Sequence, residues 1–290
     1  MQRLALGLYN VPRDQVKAVV DAGLAAGLRH FDSASFYNNE VECGEALKSW
    51  MASGHDRSEI FVTTKVWTTD LVDPESACRS AAASRTKRRV AVGDGGEISI
   101  EELDIGPVDL VVDLRFVGPN VCVFRTSCVV LSSEPMFKVM VHWPMPSKHV
   151  EAYVALEKLV RSGKAKGLGI SNYSPADYEE LMKVATIEPL VNTFENNPLL
   201  YRKEWCDYFQ EKGLIVQAYK PLQRGGPVLE SPAVMDIAKK AGKTPAQVCL
   251  RWNLDKGWVV EKQLSGMAPE LQGKSLRIKR AVHRSSRLIE

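Results

Sequence analysis

The sequence contains no C-x-x-C pair. Its six cysteines (Cys43, Cys78, Cys122, Cys128, Cys206 and Cys249) are scattered, and it has only five histidines. That leaves no zinc or iron–sulfur spacing, so no metal is expected, and reduced thiols in a reducing compartment are the simplest reading. The chain also lacks a charged-then-apolar leader and any apolar run long enough to span a bilayer. A cytoplasmic protein with no membrane partner is expected. Excess charge of one sign is small: the net charge is +3, which does not call for a nucleic-acid partner. Two locally basic stretches, Arg85 to Arg89 and Lys274 to Arg287, read as solvated charge. Finally, no G-x-G-x-x-G follows the first apolar run. "GLYNVPRD", from Gly7, stands there instead, so the phosphate-binding turn of an open doubly wound sheet is missing.

What the chain does have is alternation. Short runs rich in Val, Ile, Leu and Phe start at Leu4, Leu28, Glu59, Val108, Lys138, Ala165, Pro189, Leu214 and Gly257. Such runs suit strands buried on both faces. Between them lie helix-period stripes: Val16, Val19, Val20, Gly23 and Leu24; Val41, Gly44, Leu47 and Met51; Tyr178, Leu181, Met182 and Ala185. "SPAD" at Ser174 and "TPAQ" at Thr244 put a hydroxyl at the cap, proline at the first helical position and Asp or Gln at the third. "DPES" at Asp73 is similar.

About eight strand–helix units in 290 residues predict parallel strands with crossover helices, closed into a (β/α)₈ TIM barrel spanning residues 1–290. One segment departs from the alternation. "VDLVV" at Val108 and "KVMVHW" at Lys138 read as two ends of one strand. Residues 113–137 between them carry no helical stripe and read as two or three β segments, an atypical insertion. Either a loop is extruded at the barrel bottom and the strand re-forms after it, or foreign sequence has been read into the chain.

In a barrel, chemistry sits at the C-terminal ends of the strands. Those ends carry Asp32 and Tyr37, then Lys65, His142, Ser171 and Asn172, Asn192 and Glu195, and Tyr219. Singly, each is as well read as a surface or core group. Together, four ionisable groups converge. Lys65 is the natural partner for Asp32, whose charge is costly to bury alone. A lysine beside Tyr37 favours the phenolate and is expected to lower a pKa normally near 10. Tyr37 then becomes a candidate general acid.

At this point the sequence resembles the aldo-keto reductases. The resemblance rests on "GLRHFDSASFYNNEVECGEAL", "IFVTTKVW", "VMVHWP", "GKAKGLGISNYS", "PLVNTFENNPLL", "LIVQAYKPL" and "TPAQVCLRWNLDKG". It implies a reductase that turns an aldehyde or ketone into an alcohol with hydride from NADPH. Asp32, Tyr37, Lys65 and His142 would be the catalytic tetrad. Ser171, Asn172, Tyr219 and Leu222 would bind the cofactor, and Trp67 and Trp143 would line the pocket for a small carbonyl substrate.

Several positions depart from the family pattern. Leu8 stands for a threonine, Thr193 for the glutamine that joins Ser171 and Asn172, Asn197 for a histidine, and Lys220 for a serine. The N-terminal hairpin before the first strand is missing. Residues 263–290 form a divergent tail, and neither Lys262 just before it nor the Lys274, Ser275 and Arg280 set within it reproduces the 2′-phosphate grip. Two alternatives stay open. One is a non-catalytic or impaired cofactor-binding relative. The other is a Schiff-base aldolase built on Lys65.

Overall fold

A computed structural model describes residues 3–66, 137–161, 165 and 167–263, and the backbone of four short strands between the first two blocks. Eight parallel strands form a closed barrel: β1 (Leu4–Gly7), β2 (His30–Asp32), β3 (Phe61–Val66), β4 (Phe137–Val141), β5 (Gly167–Ser171), β6 (Val191–Glu195), β7 (Ile215–Tyr219) and β8 (Val259–Gln263). Each strand pairs with the next, and β8 returns to β1 through Leu4↔Val260 to Gly7↔Gln263.

Strand faces follow the period of two. On the outer face, Leu4, Leu6 and Phe31 pack with Val16, Val19 and Val20 of α1 (Arg13–Ala25). On the far side, Leu168, Ile170, Phe194 and Val216 pack with helix residues Tyr153, Leu156, Leu181 and Phe209. The two predicted caps are formed. Ser174 and Thr244 each accept from the third helical N–H of Pro175–Met182 and Pro245–Asp255, and Asp177 and Gln247 return the bond. "DPES" at Asp73 lies outside the described residues.

The interior needs small residues where side chains from neighbouring strands meet. At Gly169 a Cβ would stand 2.7 Å from Val191 and 2.9 Å from Met140. Glycine therefore lets β4, β5 and β6 close around those two side chains.

The fourth strand closes the sheet by itself. It pairs with β3 from Val62↔Phe137 to Val66↔Val141, and with β5 from Lys138↔Gly167 to Val141↔Ile170. Phe137, read as the last residue of the insertion, is thus the first residue of β4. Upstream, Asp113–Phe116 and Cys122–Arg125 pair antiparallel as a separate two-stranded sheet, so the β segments read there do not enter the barrel ladder. Residues 108–112 lie outside the described residues. Among the described residues no helix is long and apolar enough to cross a membrane, and no cluster of His, Cys, Asp and Glu could hold a metal ion.

Candidate active site

The site is built at the C-terminal end of β2, and the loop that follows is pinned by one side chain. Asn39 is fully buried. Its Nδ2 donates to the carbonyls of Leu8 (2.9 Å) and Val11 (3.1 Å), and its Oδ1 accepts from Ser33 Oγ (3.3 Å). Two bonds thereby tie this loop to the turn after β1, and the third braces the loop internally. Inside it, a single 3₁₀ turn (Ser35–Tyr37) swings Tyr37 over the barrel mouth, its N–H donating to Ala34 O at 2.9 Å.

Lys65 brings the groups together. It is 2% exposed, yet its ammonium has three acceptors for three N–H bonds. They are the Asp32 carboxylate, the Ser33 carbonyl at 3.1 Å and the Tyr37 hydroxyl at 3.1 Å. Gln217, from β7, donates to the other Asp32 oxygen at 3.3 Å. His142 completes the set: its ring meets the Tyr37 ring edge-on, with centroids 6.0 Å apart. All four residues of the expected tetrad are therefore within contact of one another or linked through one partner.

Burial dominates the electrostatics. It works against the Lys65 ammonium, but Asp32, Tyr37 and Glu261 together outweigh it and hold the lysine charged. A lysine so held is no amine nucleophile, which removes the physical basis of the Schiff-base reading. Tyr37 behaves differently from the expectation. Burial of its phenol end raises its pKa, and Lys65 offsets this only in part, while Glu261 and Asp32 add to the rise. The expected lowering is therefore corrected to a raising: enclosure of the phenol outweighs one cation already shared with a carboxylate. His142 is pushed down to about 3, first by burial and then by Lys65, so its imidazole is neutral at ordinary pH.

A second polar group lies beside the first, at the ends of β5 and β7. Asn172, at φ 62°, donates from Nδ2 to the His142 carbonyl (3.0 Å) and to Ser171 Oγ (3.1 Å). Its Oδ1 accepts from Tyr219 OH at 2.7 Å, and Ser171 Oγ donates to Thr193 O at 2.9 Å. A side-chain amide, a hydroxyl and a tyrosine ring in one linked set match a nicotinamide, which carries an amide on a flat ring. These residues fit the group that the sequence implies. Leu222 lies past β7, partly buried against both neighbouring apolar clusters.

The departures have visible consequences. Thr193 turns its hydroxyl to Met140 Sδ at 3.6 Å, inside the barrel. Asn197 accepts from the N–H groups of Leu199 and Leu200 and so shapes its own turn. Lys220, at φ 47°, pairs with Glu195 at 2.9 Å and stands 5.3 Å from the centre of the Tyr219 ring. Trp143 is 43% exposed at the end of β4, and Phe36 is 48% exposed beside Tyr37. Trp67 lies outside the described residues. Sequence reading missed Asn39, Gln217 and Phe36. Gln217 had a signal, since it lies two residues before Tyr219 and so on the same strand face; Asn39 had none.

Comparison with known proteins gives the family of the chain. A model of the Aldo/keto reductase family matches residues 3–94 and 124–271. The unmatched stretch between them contains the first strand of the outlying hairpin. The aldehyde reductase YPR1 of Saccharomyces cerevisiae is 32% identical over 250 residues, covering 83% of this chain and 72% of that protein. A D-galacturonate reductase of Hypocrea jecorina is 33% identical over 258 residues, covering 89% of this chain and 76% of that one. Among solved structures, an aldo/keto reductase from Brucella melitensis superimposes with a TM-score of 0.72 at 26% identity, over all of this chain and 90% of that one. A Gox0644 variant in complex with NADPH gives 0.70 at 25% identity, over 98% and 89%. With the family matched on both sides of residues 95–123 and named reductases aligned over most of its length, the chain belongs to the aldo/keto reductase family of oxidoreductases.

Proposed function

We propose that the protein reduces a small aldehyde or ketone to the alcohol with NADPH, and that Tyr37 supplies the proton. The observation that carries this reading is the single ammonium shared between Asp32 and the Tyr37 hydroxyl. When bound, the nicotinamide supplies the hydride that reaches the carbonyl carbon. Tyr37 donates its O–H proton to the carbonyl oxygen as that oxygen gains charge. Lys65 already donates to the phenol oxygen, so the phenolate left behind is formed next to a cation that need not reorganise. Asp32 keeps that lysine charged and in place. Neutral His142 offers a ring nitrogen to orient the carbonyl. Ser171 and Asn172 would hold the carboxamide, with Tyr219 and Leu222 against the ring. Trp143 and Trp67 would form the apolar wall of the substrate site.

NADPH rather than NADH follows from the family resemblance, and the NADPH-bound Gox0644 variant supports it. We also read residues 1–290 as one barrel domain, with 113–137 an atypical insertion and 263–290 a divergent tail. The buried free thiols of Cys43, Cys206 and Cys249 fit a reducing, cytoplasmic setting.

The test is NADPH fluorescence on titration into the purified chain, followed by addition of a reactive aromatic aldehyde. Binding followed by cofactor oxidation that Tyr37→Phe abolishes is the expected result. Binding without oxidation would favour a cofactor-sensing relative, and no binding would remove the reductase reading.

A further inference from the structure

The barrel interior holds a second carboxylate that the tetrad does not use. Glu261 lies on β8 and is 1% exposed. Its side chain points inward, and β1 clears the space for it. The strand offers only Ala5, its register partner, and Gly7 on that face. A Cβ on Gly7 would stand 2.5 Å from Glu261 Oε1 and 2.9 Å from its Cγ, so no larger residue fits at position 7 while the glutamate keeps this course.

A buried carboxylate needs a cation in reach. The neighbouring Lys262 belongs to the opposite strand face by alternation. Gly7, against which the carboxylate lies, pairs in turn with Asp32, the residue that holds Lys65; among the described residues Lys65 is thus the cation in reach, and the same carboxylate acts on Tyr37 and Tyr219. Among the described residues, the charged and titratable groups around Tyr37 are then Lys65 from β3, Asp32 from β2, Glu261 from β8, His142 from the end of β4 and Tyr9 from the turn after β1. One ammonium faces two carboxylates.

We infer that Glu261 is a positioning residue of the proton-transfer site, a second carboxylate that divides the field of Lys65 and so adds to burial in keeping Tyr37 in its acid form. This rests on the reading of Tyr37 as proton donor and extends it. The site is set toward giving the proton, which is carbonyl reduction, rather than toward taking one, which is alcohol oxidation and needs the phenolate. With the glutamate neutralised, Lys65 acts on the phenol opposed by Asp32 alone.

The experiment reads the phenol itself. Protein carrying 3-fluorotyrosine is titrated by ¹⁹F NMR, with the Tyr37 resonance assigned by its loss in Tyr37→Phe. Glu261→Gln, and Glu261→Met as a second neutral variant should the first not fold, are expected to lower the Tyr37 midpoint by about one unit, a tenfold weaker hold on the proton. Glu261→Asp is expected to keep most of the wild-type value. A midpoint unchanged in both neutral variants, or a phenol that stays protonated to the same alkaline pH in all of them, overturns the inference. The readout needs no turnover. A shifted midpoint in a chain that fails to oxidise NADPH would therefore sink the reductase reading and leave standing only the hold of Glu261 on the Tyr37 phenol. In an active chain, the alkaline limb of kcat/KM for reduction moves down with the midpoint.

Discussion

Lys65 donates to the Tyr37 hydroxyl at 3.1 Å while the Asp32 carboxylate holds the same ammonium. The tyrosine oxygen is thus an acceptor toward the lysine, so the lysine does not take up the phenol's own proton. Charge on the phenolate can be stabilised only because Asp32 fixes the lysine from behind.

Removing that lysine has two separable costs. Lys65→Met should lower kcat by about 10²- to 10⁴-fold, the usual range for a general-acid arrangement. It should also destabilise the fold by ~3–5 kcal/mol, because Asp32 is left as a buried charge without its cation. The double variant Asp32→Asn with Lys65→Met should recover part of the stability, since buried Glu261 still lacks that cation, and none of the activity. Urea denaturation and aldehyde-dependent NADPH oxidation on the three proteins check this. Equal stability of the single and double variants would show that Asp32 is not left uncompensated.

His142 makes a prediction about pH. The folded chain refuses its proton until about pH 3, whereas an unfolded histidine takes one near 6.5. Between these values the unfolded state binds more protons, so stability is complete above pH 6.5 and falls as pH falls through the window. The slope is at most about 1.4 kcal/mol per unit. His142→Gln should flatten that slope, as read from denaturation midpoints between pH 4 and 7. In the same window kcat should show no inflection belonging to His142.

Asn39 carries no chemistry, yet it sets where Tyr37 stands. Asn39→Ala deletes two donations to buried carbonyls and one acceptance from Ser33. The expected loss is ~1–3 kcal/mol of stability. In addition, kcat should fall more than KM rises, because the loop that presents Tyr37 loses its anchor. Unaltered kcat in a destabilised variant would assign Asn39 to stability alone.

Much of this was readable before any coordinates. The strands are short apolar runs that differ clearly in period from the helices, and the cap sequences at Ser174 and Thr244 form as written. Asp32, Tyr37, Lys65 and His142 sit at successive strand ends, a placement that topology alone demands. Other features depend on enclosure, which a string of residues does not display. Tyr37 was expected to be more acidic beside a lysine, and it is less so because its phenol end is buried and the cation is shared. Glu261 ends the last apolar run, just before the divergent tail, and only the neighbouring Gly7 shows what its side chain meets. Asn39 bridges residues 28 and 31 positions away, and no local period signals such a bond.

The polar group beside the tetrad gives the last prediction. Tyr219 donates to Asn172 Oδ1 at 2.7 Å, which fixes the amide so that its Nδ2 serves His142 O and Ser171 Oγ. Asn172 holds a left-handed backbone, φ 62°, a conformation that asparagine tolerates better than most residues. Tyr219→Phe keeps the ring and removes only the hydroxyl, which burial has pushed up to about 12 and which therefore donates at any working pH. A neutral hydrogen bond is worth ~0.5–1.5 kcal/mol net. NADPH affinity should accordingly weaken by about two- to tenfold, with the single-turnover rate at saturating cofactor less affected. Tyr219→Ala removes the ring as well and should weaken binding further. If Tyr219→Phe binds NADPH as tightly as the wild type, the hydroxyl does not orient Asn172 for the cofactor. The tyrosine would then contribute only its ring face, beside which Lys220 already stands.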